Sequence, residues 1–135
     1  MAEAGSGAFV GDATGAQRRR RVPTPESDAL ATMVAALYNK DLSALKGKFA
    51  RIQWSGCAGH DYWSAIEGRV DVVAFRNLKP WDHAPGALIH REAGGYNRLL
   101  SGAPYNPSGR DQSGILATPN QDIWHKIIKA WRSLN

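Results

Sequence analysis

The run Val70-Asp71-Val72-Val73-Ala74-Phe75 restricts the fold of this chain more than any other segment. It is β-branched and almost wholly apolar, which suits a strand covered on both faces, as in a parallel sheet. Residues 57–67, closed by Gly68, read as a helix before it. A second helix is expected after it, from about Asp82 to Ala93, stopped by Gly94-Gly95. A strand of this kind between two helices calls for a sheet with helices packed on its faces.

The rest of the chain extends that pattern. Residues 51–54, 96–100 and 114–118 read as strands, with a Gly/Pro/Ser-rich loop between the last two. Asn120 or Asp122 starts a final helix, in which Ile123, Trp124, Ile127, Ile128 and Trp131 form an apolar stripe. Trp124 and Trp131 are therefore expected in a core or an interface. Earlier, Thr24 is placed to cap a helix, Pro25 fits its first position, and Glu26 and Asp28 suit its positive end. Leu30, Met33, Val34, Leu37 and Tyr38 recur at helical spacing, so this segment is expected to be helical, with a polar connector behind it. Before it, two short strand-like pieces flank a Gly/Asp/Thr turn and predict a β-hairpin. The expected order after the first helix is βαβαββα, an α/β fold built as a layered sheet flanked by helices. Residues 1–23 are expected to form a hairpin or flexible basic arm, and 24–135 the α/β domain.

Composition narrows the function classes. No stretch approaches the roughly 18 apolar residues of a membrane-spanning helix, and the N-terminus lacks a secretory pattern, so a cytoplasmic location is expected. The lone Cys57 rules out an internal disulfide and suits a reducing compartment. The net charge is +5, but Arg18 to Arg21 supply four of seventeen basic residues in one run. Such a run reads as a solvated strand or loop. No RNA-recognition signature or zinc-finger spacing accompanies it, so nucleic acid is disfavoured as a partner.

Asp82 is the acid with the most informative surroundings. At a helix start it is placed to cap a free amide two or three residues on. It also follows the 70–75 strand and a short loop, the sheet edge where open α/β folds bind ligands. Ala84, Gly86 and Ala87 leave little side chain on the first turns, and Pro85 is tolerated there. Cys57 and His60 form a conceivable nucleophile–base pair, although a single cysteine more often reads as a small buried residue. His60-Asp61, Asp82-His83 and His90-Arg91-Glu92 are metal-capable but lack ligand spacing. His90 and Arg91 are expected to face solvent or a loop, and Glu92 to brace the Gly94-Gly95 turn.

The segment NLKPWDHAPGALIHREAGGY (77–96) closely resembles the C-terminal signature of the inositol monophosphatase family, with its Trp-Asp and Glu-Ala-Gly-Gly elements. The likeness extends upstream through SGCAGHDYWSAIEGRVDVVAF and downstream through SGAPYNPS and GILATPN. GSGAFVGD is similar to the hairpin near that family's midpoint. The resemblance implies an αβαβα layering and a magnesium-dependent phosphomonoesterase. It makes Asp82 the last metal-binding carboxylate. Magnesium takes hard oxygen ligands, so the residue type fits. The resemblance also makes Gly56, Cys57 and Ala58 a turn whose amides face a substrate hydroxyl or anion, with Asp82 beside them. The family's other ligands come from an early helix and an Asp-Pro-Ile/Leu-Asp-Gly-Thr motif. Neither stands in this sequence, and GDATG (11–15) is no substitute.

Family enzymes for inositol phosphates carry a Glu seven residues before the Trp-Asp aspartate, and Phe75 stands there. Inositol phosphate is therefore a doubtful substrate, and other phosphomonoesters, such as histidinol phosphate or sugar phosphates, stay open. The expectation is the second half of a magnesium-dependent phosphomonoesterase, active on a small phosphate monoester when complete. Alone it should be inactive and bind Mg2+ weakly or not at all. No catalytic residue is assigned with certainty. The alternative is a non-catalytic α/β binding or assembly module. Unpaired strand edges and Phe9 and Val10 without cover point to self-association or to a missing N-terminal half as partner.

Overall fold

The computed structural model describes residues 2–3, 5, 7–11, 17–111 and 113–134. The tip of the expected N-terminal turn, residues 12–16, lies outside them. Strands β1 (Ala2–Glu3), β2 (Gly7–Gly11) and β3 (Gln17–Arg20) form an antiparallel sheet in that order. A second, five-stranded sheet contains β4 (Val34–Leu37), β5 (Arg51–Ile52), β6 (Val72–Phe75), β7 (Tyr96–Leu99) and β8 (Ile115–Thr118). Its order is β5-β4-β6-β8-β7, with β4 parallel to both β5 and β6, and β8 antiparallel to β6 and β7. Helices α1 (Ala58–Glu67), α2 (Pro80–Glu92) and α3 (Gln121–Arg132) complete the set, with 3₁₀ helices at Leu30–Thr32 and Lys40–Lys48.

Side-chain alternation along the strands builds the layers. Val72 and Ala74 of β6 face Ile123, Trp124, Ile127 and Ile128 of α3 and Leu42 and Leu45 of the second 3₁₀ helix. Val73 and Phe75 face the other way, onto Tyr62 and Ala65 of α1 and Ala87 of α2. The far side of α1 and α2 is covered by the small sheet, where Ala8 meets Ile66 and Ala93. The expected layered sheet flanked by helices is thus the observed architecture, in the order helix, sheet, helix, sheet.

The helix expected after Thr24 does not form. Only Leu30–Thr32 makes a helical turn, and Val34–Leu37 is the central strand β4. Periodicity cannot separate helix from strand in so short an apolar run. Ladder bonds on both sides and a clasp at Asp71 decide it. The Val34 amide donates to the Asp71 carboxylate (2.9 Å), and the Asp71 amide donates to the Val34 carbonyl (2.9 Å). The stretch expected to be a polar connector is helical instead, opened by Asn39, whose side chain accepts from the Asp41 amide, and seated by the buried Leu42 and Leu45.

Helix α1 ends as expected, with Gly68 in the left-handed region at φ +81°. Helix α3 is capped by Asn120, which accepts from the Ile123 amide at 2.9 Å, and Trp124 is buried with its indole N–H donated to the Leu116 carbonyl. Helix α2 begins at Pro80 behind Lys79, so Asp82 sits inside the first turn and is not its cap. The small residues of α2 act against α1 as much as against the sheet: a Cβ on Gly86 would overlap the Tyr62 ring.

His90 departs from the solvent-facing expectation. His83, Ala87 and His90 share the inner face of α2, and His90 is fully buried. Its Nδ1 lies 3.1 Å from Asn97 Nδ2, which also donates to the Ala87 carbonyl at 3.0 Å, and its Nε2 has no partner among the described residues. Burial pushes its pKa down to about 4. Glu92 accepts from the Gly7 amide at 3.0 Å and so ties α2 to β2.

Two outcomes follow. Gly86→Ala should lower stability by about 1–3 kcal/mol through overpacking against Tyr62, measurable as a reduced urea midpoint with unchanged slope. His90 folds neutral, so its contribution is fully present above its unfolded pKa near 6.5. As pH falls towards about 4 the unfolded chain takes up a proton that the fold does not, and roughly 3 kcal/mol is lost. Urea unfolding across that window should show the decline, and His90→Leu should flatten it by about one proton.

Candidate functional site

Because β4, β5 and β6 run parallel, their carboxyl ends open on one edge of the sheet. The segments leaving those ends surround a cleft of about 770 Å³. From β4 come Tyr38 and Lys40; from β5, Gly56 to Gly59; from β6, Phe75, Arg76, Asn77 and, one turn into α2, Asp82. The four residues singled out from the sequence, Gly56, Cys57, Ala58 and Asp82, therefore line one cleft, at the kind of sheet edge where α/β folds bind ligands.

The turn before α1 is held by side chains. Gly56 has φ +77°, a conformation that a side chain would strain. The Ser55 and Gly56 amides donate to the Tyr38 hydroxyl oxygen at 2.9 and 3.1 Å, and the Cys57 amide donates to Ser55 Oγ at 3.1 Å. Ser55 Oγ in turn donates to Asp61 Oδ1 at 2.8 Å. Asp61 is buried, and its Oδ2 has no hydrogen-bond partner among the described residues. Two of the three amides expected to face a ligand, those of Gly56 and Cys57, are thus already engaged. The Ala58 and Gly59 amides on the first turn of α1 have no acceptor among the described residues. Cys57 itself is exposed, not buried, because the N-terminal position of α1 points it into the cleft instead of the core.

Aromatic rings form the floor. Tyr38 stacks on Phe75 with centroids 5.1 Å apart and planes within 6°, and Trp54 meets Tyr38 edge-on at 5.0 Å. His83 stands edge-on to Phe75 at 4.7 Å, with its Nδ1 at 3.1 Å from the Tyr62 hydroxyl. Burial lowers the His83 pKa against the opposing pull of Asp82 and Asn77, and burial raises that of Tyr62. His83 is thus favoured in its neutral form, a prop under the α2 turn hydrogen-bonded to Tyr62. Asp82 is exposed at the positive end of α2 and has no ion-pair partner among the described residues. Arg76 pairs with Asp41 at the rim.

Sequence reasoning missed Tyr38, Lys40 and Arg76. Tyr38 was absorbed into an apolar helical stripe, and a strand reading of Val34–Leu37 places it at a strand's carboxyl end instead. One carboxylate in the cleft is a hard oxygen donor suited to magnesium, but it is not a site. Among the described residues no three His, Cys, Asp or Glu side chains are grouped to hold a metal ion.

A model of the inositol monophosphatase family matches residues 3–134. The chain belongs to that family. It is 29% identical to an inositol-1-monophosphatase of Caulobacter vibrioides, the match covering 97% of this chain and 52% of that protein. A second inositol-1-monophosphatase, from Rhizobium meliloti, is 37% identical over 75% of this chain and 40% of its own length. A putative Nus factor SuhB of Neisseria meningitidis serogroup B is 34% identical over 70% of this chain and 36% of its own. The extragenic suppressor protein suhB of Bartonella henselae superposes with a TM-score of 0.76 and 32% identity, covering 97% of this chain and 52% of that one. An inositol monophosphatase from Anabaena, at 22% identity and a TM-score of 0.71, shares the fold over 96% of this chain and 54% of its own. The chain spans about half the length, or less, of the relatives it matches.

Ser55 links the turn to the buried Asp61, so Ser55→Ala should strand one carboxylate oxygen and one amide together. A loss of about 1–3 kcal/mol is expected in urea unfolding, with faster hydrogen exchange at the Cys57 amide than at the Ile127 amide in α3.

Proposed function

We propose that this chain carries the Asp82-bearing half of a magnesium-dependent phosphomonoesterase site. The complete site hydrolyses a small phosphate monoester, and this chain alone is inactive. The observation that carries the reading is the convergence of Asp82 and the turn ahead of α1 on one cleft at the strands' carboxyl edge. Family membership and the names of the Caulobacter and Rhizobium relatives support the reaction class. In this role Asp82 is one ligand of the metal. Displacement at phosphorus calls for metal clamping of entering and leaving oxygens, and the described residues present one carboxylate to that task. The remaining ligands come from polypeptide beyond this chain, either a missing half or a partner. Phe75 stands where an acid would accept bonds from inositol hydroxyls, which favours another phosphomonoester. The lone, exposed Cys57 accords with a reducing, cytoplasmic setting.

Purified chain assayed with several phosphomonoesters at millimolar magnesium should turn over none of them faster than its Asp82→Asn variant. Co-expression with the part of the Caulobacter protein that the match leaves uncovered should restore magnesium-dependent hydrolysis, and Asp82→Asn should abolish it. A folded complex that stays inert towards every ester would favour the non-catalytic module instead.

A further inference from the structure

The Tyr38 hydroxyl has a defined hydrogen-bond balance. Its oxygen accepts from the Ser55 amide at 2.9 Å and from the Gly56 amide at 3.1 Å, which occupies both of its lone pairs. Its own O–H has no acceptor among the described residues, and Tyr38 lines the cleft. The hydroxyl is therefore held as a donor and cannot reverse its role without releasing the turn before α1.

Its neighbours have the same sense. Lys40 and Arg76 also line the cleft, one following Tyr38 out of β4 and the other following Phe75 out of β6. Asp41 neutralises part of the Arg76 charge, while Lys40 has no ion-pair partner among the described residues. Phe75, which packs between Tyr38 and His83, contributes no acceptor at all. Apart from Asp82, the Asn77 side-chain oxygen and backbone carbonyls, the cleft offers donors and cations. An anion, which only accepts, matches such a wall better than a polyol, whose hydroxyls need acceptors as well as donors.

We infer that Tyr38 and Lys40 select a phosphomonoester bearing a second anionic group, a phosphate or a carboxylate, bound against the donor wall while the scissile phosphate lies towards Asp82. This rests on the reading of the cleft as a phosphomonoester site and adds its substrate class.

The test is calorimetric binding at fixed ionic strength, with and without magnesium. The probes are a linear alkyl monophosphate, the matching alkanediol bisphosphate and the matching phosphate-carboxylate. Both doubly anionic probes should bind about tenfold more tightly than the monophosphate, the difference made by a charged hydrogen bond. Comparing the bisphosphate with the phosphate-carboxylate shows which anion the wall prefers. Tyr38→Phe and Lys40→Gln should each remove most of the advantage, lowering affinity for both doubly anionic probes far more than for the monophosphate. Because Tyr38→Phe retains no acceptor for the two amides, Lys40→Gln is the arm that leaves the turn intact. A tyrosine absorption difference on adding the bisphosphate, absent in Tyr38→Phe, reads the hydroxyl directly. Equal affinity for all three probes, or an advantage that survives the double variant, overturns the inference. If the advantage holds in this chain but the folded, co-expressed complex hydrolyses none of the probes with magnesium, the donor wall stands and the phosphatase reading fails.

Discussion

Ala35 and Ala36 carry almost no side chain, yet both are completely buried, because β4 is bonded to β5 on one side and to β6 on the other. The position of the cleft depends on that central placement. A strand flanked by two parallel neighbours delivers three chain segments to the same edge, and small residues let the helical layers approach it from both faces. The reciprocal bonds between Val34 and Asp71 fix the register at the opposite end. Moving β4 by one residue would exchange its faces, turning Leu37 away from α3 and carrying Tyr38 off the Phe75 ring.

The cleft is organised from beneath by polar groups with few alternatives. Tyr38 gathers two amides, Ser55 a third, and Asp61 holds Ser55 from a buried position with one oxygen still unpartnered. On the other side a neutral His83, bonded to Tyr62, supports the turn that presents Asp82. A single-domain core of this size retains such groups where they hold geometry, since each unpaired buried atom costs stability. The arrangement braces the rims of the cleft through hydrogen bonds while leaving Asp82, Cys57 and Lys40 exposed to whatever enters.

The pattern of strand, helix, strand and helix from residue 51 onward was legible because each element there carries its own punctuation. Gly68 and Gly94 stop helices, Asn120 caps one, and the 70–75 run has no soluble alternative to a buried strand. The segment before it was not legible. Leu30, Met33, Val34 and Leu37 satisfy helical spacing, Thr24-Pro25 looks like a helix start, and nothing local announces that two distant strands will bond to 34–37. The same blindness hid Tyr38, and it placed His90 in solvent: a histidine on a helix does not declare which face the sheet will cover.

By itself the sequence determined the layered α/β class, the family, and Asp82 with the 56–58 turn as the residues to watch, because motif spacing and helix caps are local properties of the chain. Tertiary structure alone decided that β4 is a strand, that the Gly56 and Cys57 amides are already engaged, and that the cleft wall beside Asp82 is aromatic and donor-rich. Those outcomes turn on which groups from distant segments meet, and each polar atom's final role is set by the partner it finds there and not by its place in the chain.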